Sequence, residues 1–421
     1  MKNIGCLVFF LMTFITGTLF SQRVLHGYIM DNGSQEHLPG VVCYSKTHRI
    51  STESNAYGYY ALNLPNADSI YVCFQFVGYQ AFELCILKSS PLNLDVFLKS
   101  AGQLNEVIVE SSRESVVQSP QLGKIDIPVS QIKDIPALFG EKDVLKVIQL
   151  LPGVQKSGEG NNGIYVRGGG PDQNLIVLDD ATLYNVSHLF GFFSLFNGDA
   201  LKSIELTKGG FPARYGGRLS SVIDIQMKDG HKESLHGDAG IGIISSRLNL
   251  EGPIIKNKSS FLISARRTYI DALVYPFLPE YAKGGYYFYD LNAKADYRIT
   301  SKDRLFLSGY LGRDRFYFNI KEINDGSSNS NSLDWGNKTM TLRWNHVVNS
   351  QLFLNSSLIF SDYTYQISSI FKDPSNTFSL LYQSGIRDYG IKISADYLPS
   401  SKRSEEHTSE LQSHSFISYA V

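Results

Sequence analysis

Three groups of residues have types and spacing that could do chemistry, and each is tested by its context. Gly158-Glu159-Gly160-Asn161-Asn162-Gly163 fits the G-x-G-x-x-G pattern, with Asp179 at a distance suited to a ribose hydroxyl. A dinucleotide loop follows a strand and opens a helix, so that the pyrophosphate meets the helix N-terminus; here a helical pattern precedes and strand-like Ile164-Tyr165-Val166 follows. His407-Thr408-Ser409-Glu410 has an H-x-x-E spacing, but it lies in a terminal tail of different character. Once Cys6 is set aside with the N-terminal leader, Cys43, Cys73 and Cys85 remain, an odd number with no metal-ligand spacing. Cys43 and Cys73 sit in apolar strand-like runs that suit small buried residues, and a Cys73–Cys85 disulfide stays open. There is no G-x-S-x-G elbow and no Walker loop. No catalytic residue, metal ligand or cofactor is expected, and the chain does not read as an enzyme.

The elements that would carry any function are β-strands. With 25 Tyr, 25 Phe and 36 Gly against 43% hydrophobic residues, the composition favours sheets with aromatic surfaces over helical bundles. A net charge of -1 gives no hint of nucleic-acid binding. The start of the chain, MKNIGCLVFFLMTFITGTLFSQ, reads as a signal peptide over residues 1–21, with basic Lys2, a short apolar run and small Ser21. No later segment approaches the length of a membrane helix, so any crossing must be made by strands.

Short strand patterns recur through residues 22–99 (VLHGYI, GVVCYSK, GYYALNL, SIYVCFQFVGY, LNLDVFL), separated by turns such as Leu38-Pro39-Gly40, and predict a β-sandwich. The order HGYIMDNGSQEHLPGVVCY, ESNAYGYYALNLP, FVGYQ and LDVFLK resembles the carboxypeptidase-regulatory-like domain found at the N-termini of Bacteroidetes outer-membrane receptors. Residues 100–120 are polar and Ser-rich, the composition of a flexible linker. Within them Leu104 to Val109 resembles a TonB box, with Glu106, Val107, Ile108 and Val109 as the contact expected to add as a strand to the periplasmic domain of TonB.

Residues 121–230 open with an apolar helical pattern over Glu141 to Leu151, stopped by Pro152-Gly153. Very short strands then alternate with glycine clusters. LPGV, GIYVRGG, NLIVLDD and SIELTKGGFPARYGGRLSSVIDI resemble the plug domain of TonB-dependent outer-membrane receptors. The resemblance implies plug turns with structural or gating roles at Arg167, Gly168, Gly169, Asp179, Asp180, Gly209, Gly210, Arg214, Gly216 and Gly217. Arg167, Arg214 and Arg218, with Glu205 and Asp179, are expected in a polar network to the surrounding wall.

From residue 231 to 402 the period changes to two. Tyr289, Leu291, Ala293, Ala295 and Tyr297 alternate with Asp290, Asn292, Lys294 and Asp296; Tyr389, Ile391, Ile393, Ala395 and Tyr397 alternate with Asp388, Lys392, Ser394 and Asp396. One face suits lipid and the other water. The flanking tyrosines lie roughly 26 Å apart along a strand, or roughly 20 Å of height at a ~40° tilt, as the two aromatic girdles of an outer-membrane barrel do. Connections are expected to alternate between short (Gly252 to Ser259, Ile299 to Arg304, Val348 to Leu352) and long (Ile270 to Gly285, Phe318 to Asp334, Ile370 to Phe378). A parity slip at Ser245-Ser246 predicts a tight hairpin. The expected fold is therefore mainly β: an N-terminal β-sandwich, an α/β plug, and about eight antiparallel strands of an incomplete transmembrane β-barrel, where plugged transporters have about 22. Residues 403–421 read as the translation of a sequencing-library adapter rather than native protein, which makes the chain a fragment and removes His407 and Glu410 from consideration.

The function implied is a TonB-dependent receptor that takes up an unknown small ligand through the bacterial outer membrane, with sandwich and plug on the periplasmic side. The expected partners are TonB and outer-membrane lipid, with no nucleic acid. The alternative is an outer-membrane signalling or protein-binding receptor without transport.

Overall fold

The computed structural model describes residues 23–101, 123–127, 143–156, 163–212, 214–322, 326–400 and 403–420. The leader expected at 1–21, the TonB box Glu106 to Val109 and the glycine run 158–162 lie outside the described residues. The chain divides into two compact units.

The first unit holds β1 (Arg23–Asp31), β2 (Val42–Ser45), β3 (Ile50–Glu53), β4 (Tyr59–Leu64), β5 (Ser69–Gln75), β6 (Phe82–Leu87) and β7 (Val96–Leu98). They form two sheets, ordered β4-β1-β7 and β3-β2-β5-β6. Leu25, Ile29, Tyr60, Leu62, Phe74 and Leu98 fill the core between them. Sequence patterning finds five of the strands. It passes over β3 and β6, the two edges of the four-stranded sheet, because an edge strand buries little and alternates weakly. Among the described residues the cysteines, Cys43, Cys73 and Cys85, are free thiols, the first two buried. Cys73 lies opposite Glu83 and Cys85 opposite Tyr71, so Cys73 and Cys85 are diagonal neighbours, roughly 7–8 Å apart and beyond disulfide reach.

The second unit begins with β8 (Lys124–Ile127), α1 (Val144–Gln149), β9 (Val154–Lys156) and β10 (Ile164–Val166). It continues with β11 (Asn174–Leu178), β12 (Ala181–Thr182), β13 (Ser187–His188), β14 (Phe193–Ser194), β15 (Leu201–Lys208) and β16 (Ser221–Met227). A mixed five-stranded sheet runs β12-β11-β16-β15-β8, with β11 and β16 parallel. The α1 helix is shorter than its apolar pattern: the Asp143 carboxylate accepts from the backbone N–H groups of Leu145 and Lys146 and starts it, and Gly153 at φ +76° lies past its end. Its buried Val144, Leu145, Val147 and Ile148 join Leu178, Leu206, Ile223 and Ile225 in one core.

The rest is one sheet of nine strands in sequence order: β17 (His236–Ile241), β18 (Ser245–Ile255), β19 (Ser259–Thr268), β20 (Ala282–Arg298), β21 (Asp303–Lys321), β22 (Ser328–Asn349), β23 (Leu352–Lys372), β24 (Thr377–Ser400) and β25 (Arg403–Ala420). The first eight pair antiparallel with their neighbours. The slip at Ser245 is the expected hairpin, closed by Gly242 N–H to the Ser245 carbonyl at 2.8 Å. Two of the expected long connections are short. Strand pairing extends to Lys321 and Ser328 in the first and to Lys372 and Thr377 in the second, leaving 373–376 as a turn, because backbone pairing continues where the side chains have ceased to alternate. The connection after β19 is long and contains α2 (Ile270–Val274). Residues Arg403–Ala420, expected as translated adapter, form the outermost strand; an open sheet edge accepts any chain able to extend along it.

Along β20 the alternation has a direct consequence. Asp290, Asn292, Lys294 and Asp296 are all buried, whereas Leu291 is 38% and Tyr297 37% exposed. The polar face looks not at water but at the domain formed by β8 to β16.

Candidate functional site

That covered polar face is where charges concentrate, and one stretch of chain, 179–197, meets most of them. The stretch begins with a two-residue turn joining β11 to β12, in which Asp179 and Asp180 both take positive φ, +45° and +74°. Such a turn matches the twist of the flanking strands and tolerates aspartate at positive φ. The carboxylates of the turn reach different strands. Asp179 Oδ1 accepts from the Met227 N–H at 3.0 Å, while its Oδ2 lies 3.3 Å from Lys294 Nζ of β20. Lys294 also donates to the Met227 carbonyl at 2.7 Å and pairs with Asp229 at 3.0 Å. Asp180 Oδ1 lies 2.9 Å from Lys392 Nζ of β24, and its Oδ2 accepts from Ser357 Oγ of β23 at 3.0 Å. Burial alone would raise the Asp180 pKa, but Lys392 and Arg343 outweigh it and hold the carboxyl down to about 2.

Further along, Ser361 Oγ donates to the Thr182 carbonyl at 2.5 Å. Asn337 accepts from the Tyr184 N–H at 3.1 Å and donates to the Asn185 carbonyl at 3.0 Å, and the Tyr184 hydroxyl bonds Asp388. His188 is fully buried. Its Nδ1 lies 2.7 Å from Asp314 Oδ2 of β21, its Nε2 2.9 Å from Asp290 Oδ1 of β20, and its ring stacks on Phe288 at 3.8 Å. Burial would lower the His188 pKa, but Asp290 and Asp314 outweigh it and raise it to about 9. Arg266 of β19 completes the group: its guanidinium pairs with Asp290 Oδ2, with Nε at 2.9 Å, and donates to the Ser194 carbonyl at 2.8 Å. Asn197 Nδ2 donates to Ser264 Oγ at 2.8 Å. From Ser264 to Lys392, six consecutive strands, β19 to β24, hold this one stretch.

Residues 125–222 match the TonB-dependent receptor plug domain, and residues 25–109 match the CarboxypepD_reg-like domain. The chain carries a TonB-dependent receptor plug. No curated protein matches by sequence. Among solved structures, the siderophore receptor PirA of Acinetobacter baumannii aligns at 16% identity and a TM-score of 0.36, covering 72% of this chain and 59% of that one. The ferric enterobactin receptor of Pseudomonas aeruginosa aligns at 14% and 0.39, covering 72% and 58%. FpvA of P. aeruginosa, solved with pyoverdines, aligns at 13% and 0.46, covering 70% and 42%. The chain therefore spans about half the length of the receptors it aligns with.

The residues singled out from sequence fall into three places on the plug. Arg167 at φ +50° and Gly168 at φ +86° form the turn after β10, and Gly169 has no room for a side chain, since a Cβ there would stand 2.4 Å from Ser220 Oγ. Gly209 and Gly210, at φ +70° and +63°, turn the chain after β15 close to Arg167. Asp179 and Asp180 are at the wall. Arg214, Gly216 and Gly217 line a cavity of about 150 Å³ with Asp180, Tyr184 and Lys392. Beside it the Tyr215 hydroxyl donates to Asp224 Oδ2 at 2.6 Å, and burial raises the Asp224 pKa to about 6.

The expected wall network differs in membership. Arg167 is exposed, Arg218 bonds the neighbouring Gly217 carbonyl, and Glu205 pairs within the plug with Lys124 at 3.0 Å. Asp179 is in it, joined by the side chains of Asp180, Tyr184, His188 and Asn197 and by the carbonyls of Thr182, Asn185 and Ser194. The available signal was the row of charges at Asp290, Lys294 and Asp296: a barrel face packed with alternating charge needs a charged partner, and His188 is the one titratable group in the apolar run HLFGFF. Among the described residues no group of three or more His, Cys, Asp or Glu side chains is placed to hold a metal ion.

Proposed function

We propose that this chain acts as a TonB-dependent outer-membrane receptor for active uptake of a small ligand into the periplasm, coupled to TonB through Glu106, Val107, Ile108 and Val109. The observation that carries the reading is the matched plug lying against the polar face of a sheet whose other face is apolar. A plug tied to six strands by buried ion pairs and hydrogen bonds is a stopper that thermal motion does not remove, so opening a path requires work from outside. In the outer membrane that work arrives along a tether, and residues 100–120 stand immediately before the plug to receive it. The turns Arg167 to Gly169, Gly209 to Gly210 and Arg214 to Gly217 are the proposed gating elements, since they join the strands of the plug and the last of them meets Lys392 of the wall through the Tyr215 ring. The apolar sheet face lies in outer-membrane lipid, with sandwich and plug on the periplasmic side.

Calorimetric titration of the full chain with the periplasmic domain of TonB tests the coupling. Deleting Gln103 to Glu110 abolishes binding while the plug's thermal transition stays in place. Binding that survives the deletion refutes the assignment of the TonB box.

A further inference from the structure

The outward face of the large sheet changes character at one step on four neighbouring strands. Moving away from the short connections at 299–302 and 350–351, the outward column passes from Leu311 to Arg313 on β21 and from Met340 to Lys338 on β22. It passes from Phe360 to Asp362 on β23 and from Tyr389 to Arg387 on β24. Arg315 follows Arg313, and Arg267 of β19 stands across from Tyr289 in the same row as Arg313. Below the step the column is apolar and open, with Leu307 46%, Met340 53%, Leu358 53% and Ile391 47% exposed.

The charges above the step are arranged in two layers. Asp334 and Asp362 are sunk in the sheet surface, 7% and 8% exposed, and the cations lie over them with their heads out: Arg313 47%, Arg315 43%, Lys338 62% and Arg387 44%. Asp334 fixes Arg313 at 2.8 Å, and Asp362 fixes Arg387 at 2.8 Å. With Arg267 over Asp271, five cations face three carboxylates, a surplus of two positive charges. A surface meant only for water has no need of this order, and a surface meant for hydrocarbon does not tolerate it.

We infer that this belt binds phosphate-bearing lipid headgroups in the membrane leaflet on the side of the 269–281 connection. The inference rests on the outer-membrane reading above. Cations one step beyond an apolar band lie at headgroup depth, where a planar guanidinium matches phosphate oxygens with paired, charge-assisted bonds. The buried aspartates keep the guanidinium heads aimed outward, so that little side-chain freedom is lost on binding. Each basic residue near an anionic surface adds roughly five-fold to affinity, so four act together on the order of 1000-fold.

The test reconstitutes the full chain in phosphatidylcholine vesicles with and without phosphatidic acid, extracts it in mild detergent, and counts retained lipid per chain by native mass spectrometry. Phosphatidic acid should be retained over phosphatidylcholine and lost from R313Q/R315Q/K338Q/R387Q. It should be retained in part by the charge-conserving R313K/R315K/R387K and survive excess inorganic phosphate. Equal retention by the glutamine variant overturns the inference, and so does displacement by free phosphate, which would make the belt a site for soluble anions. Should the glutamine variant not fold, salt titration of the unmodified chain decides, because retention insensitive to salt overturns it equally. Failure to associate even with neutral vesicles sinks the outer-membrane reading and this inference together; association without lipid preference sinks this inference alone.

Discussion

Replacing His188 by Gln should unseat the plug selectively below pH 9. In the folded chain His188 is an imidazolium with a pKa of about 9, held between Asp290 and Asp314, against ~6.5 in the unfolded chain. A folded pKa raised above the unfolded value gives stability that is complete below pH ~6.5 and is lost as pH rises through 9. A difference of between two and three pKa units corresponds to about 3 kcal/mol. Removing the imidazole also takes the cation from between two buried carboxylates, of which Asp290 keeps its pair with Arg266, a loss of ~3–5 kcal/mol by comparison with other broken buried pairs. The chain supplies its own probe: of its two tryptophans, Trp335 is buried 6.4 Å from Tyr286, whose hydroxyl bonds Asp314, and Trp344 is on the outer face. In a W344F background, urea unfolding followed by Trp335 fluorescence should show stability falling between pH 6.5 and 9.5 by about 3 kcal/mol more than in H188Q. Parallel pH profiles for the two proteins would refute the charged-latch account and leave His188 as a neutral packing residue.

Other perturbations separate the remaining contacts. Asp180→Asn strips the counter-charge from Lys392 and Arg343 and should cost ~3–5 kcal/mol at neutral pH, read by urea unfolding. Because the Asp180 pKa is depressed to about 2, the deficit relative to the parent should shrink as pH falls from ~4 toward 2, and a deficit constant over that range refutes it. Asp224→Asn runs the other way: a carboxyl raised to about 6 by burial destabilises the plug above that pH, so the amide should stabilise by ~1–3 kcal/mol at pH 8 and by nothing at pH 3.5. Gly169→Ala should destabilise by ~1–3 kcal/mol through collision with Ser220, and Ser220→Gly should recover most of the loss; an unrecovered double variant would place the strain elsewhere. Thiol titration of the first unit under non-reducing conditions should find Cys73 and Cys85 unpaired, and a Cys73–Cys85 bridge would contradict the register of β5 and β6.

The parts of this fold legible in the sequence are those where one residue decides its own environment. Strand Ile164–Val166 matches its apolar run, the hairpin at Ser245 follows from a change of parity, and Gly169 announces a close approach that only a missing Cβ allows. What escapes is decided by a partner far along the chain. Asp290 and Lys294 read as water-facing because alternation gives the side of a sheet on which a residue lies and not what covers that side. His188 meets Asp290 across 102 positions and Asp314 across 126, and nothing in the local pattern of either strand names the other. The arginines at 167 and 218 adjoin glycines, and a glycine turn is where a chain leaves the packed interface, so its neighbours tend toward solvent. The wall contacts came instead from a stretch of short strands, 181–194, too brief for any periodicity to register. A buried charge on one element implies an opposite charge on another, and the buried rows of β20 and β24 therefore carry information about the plug that the plug's own sequence does not display.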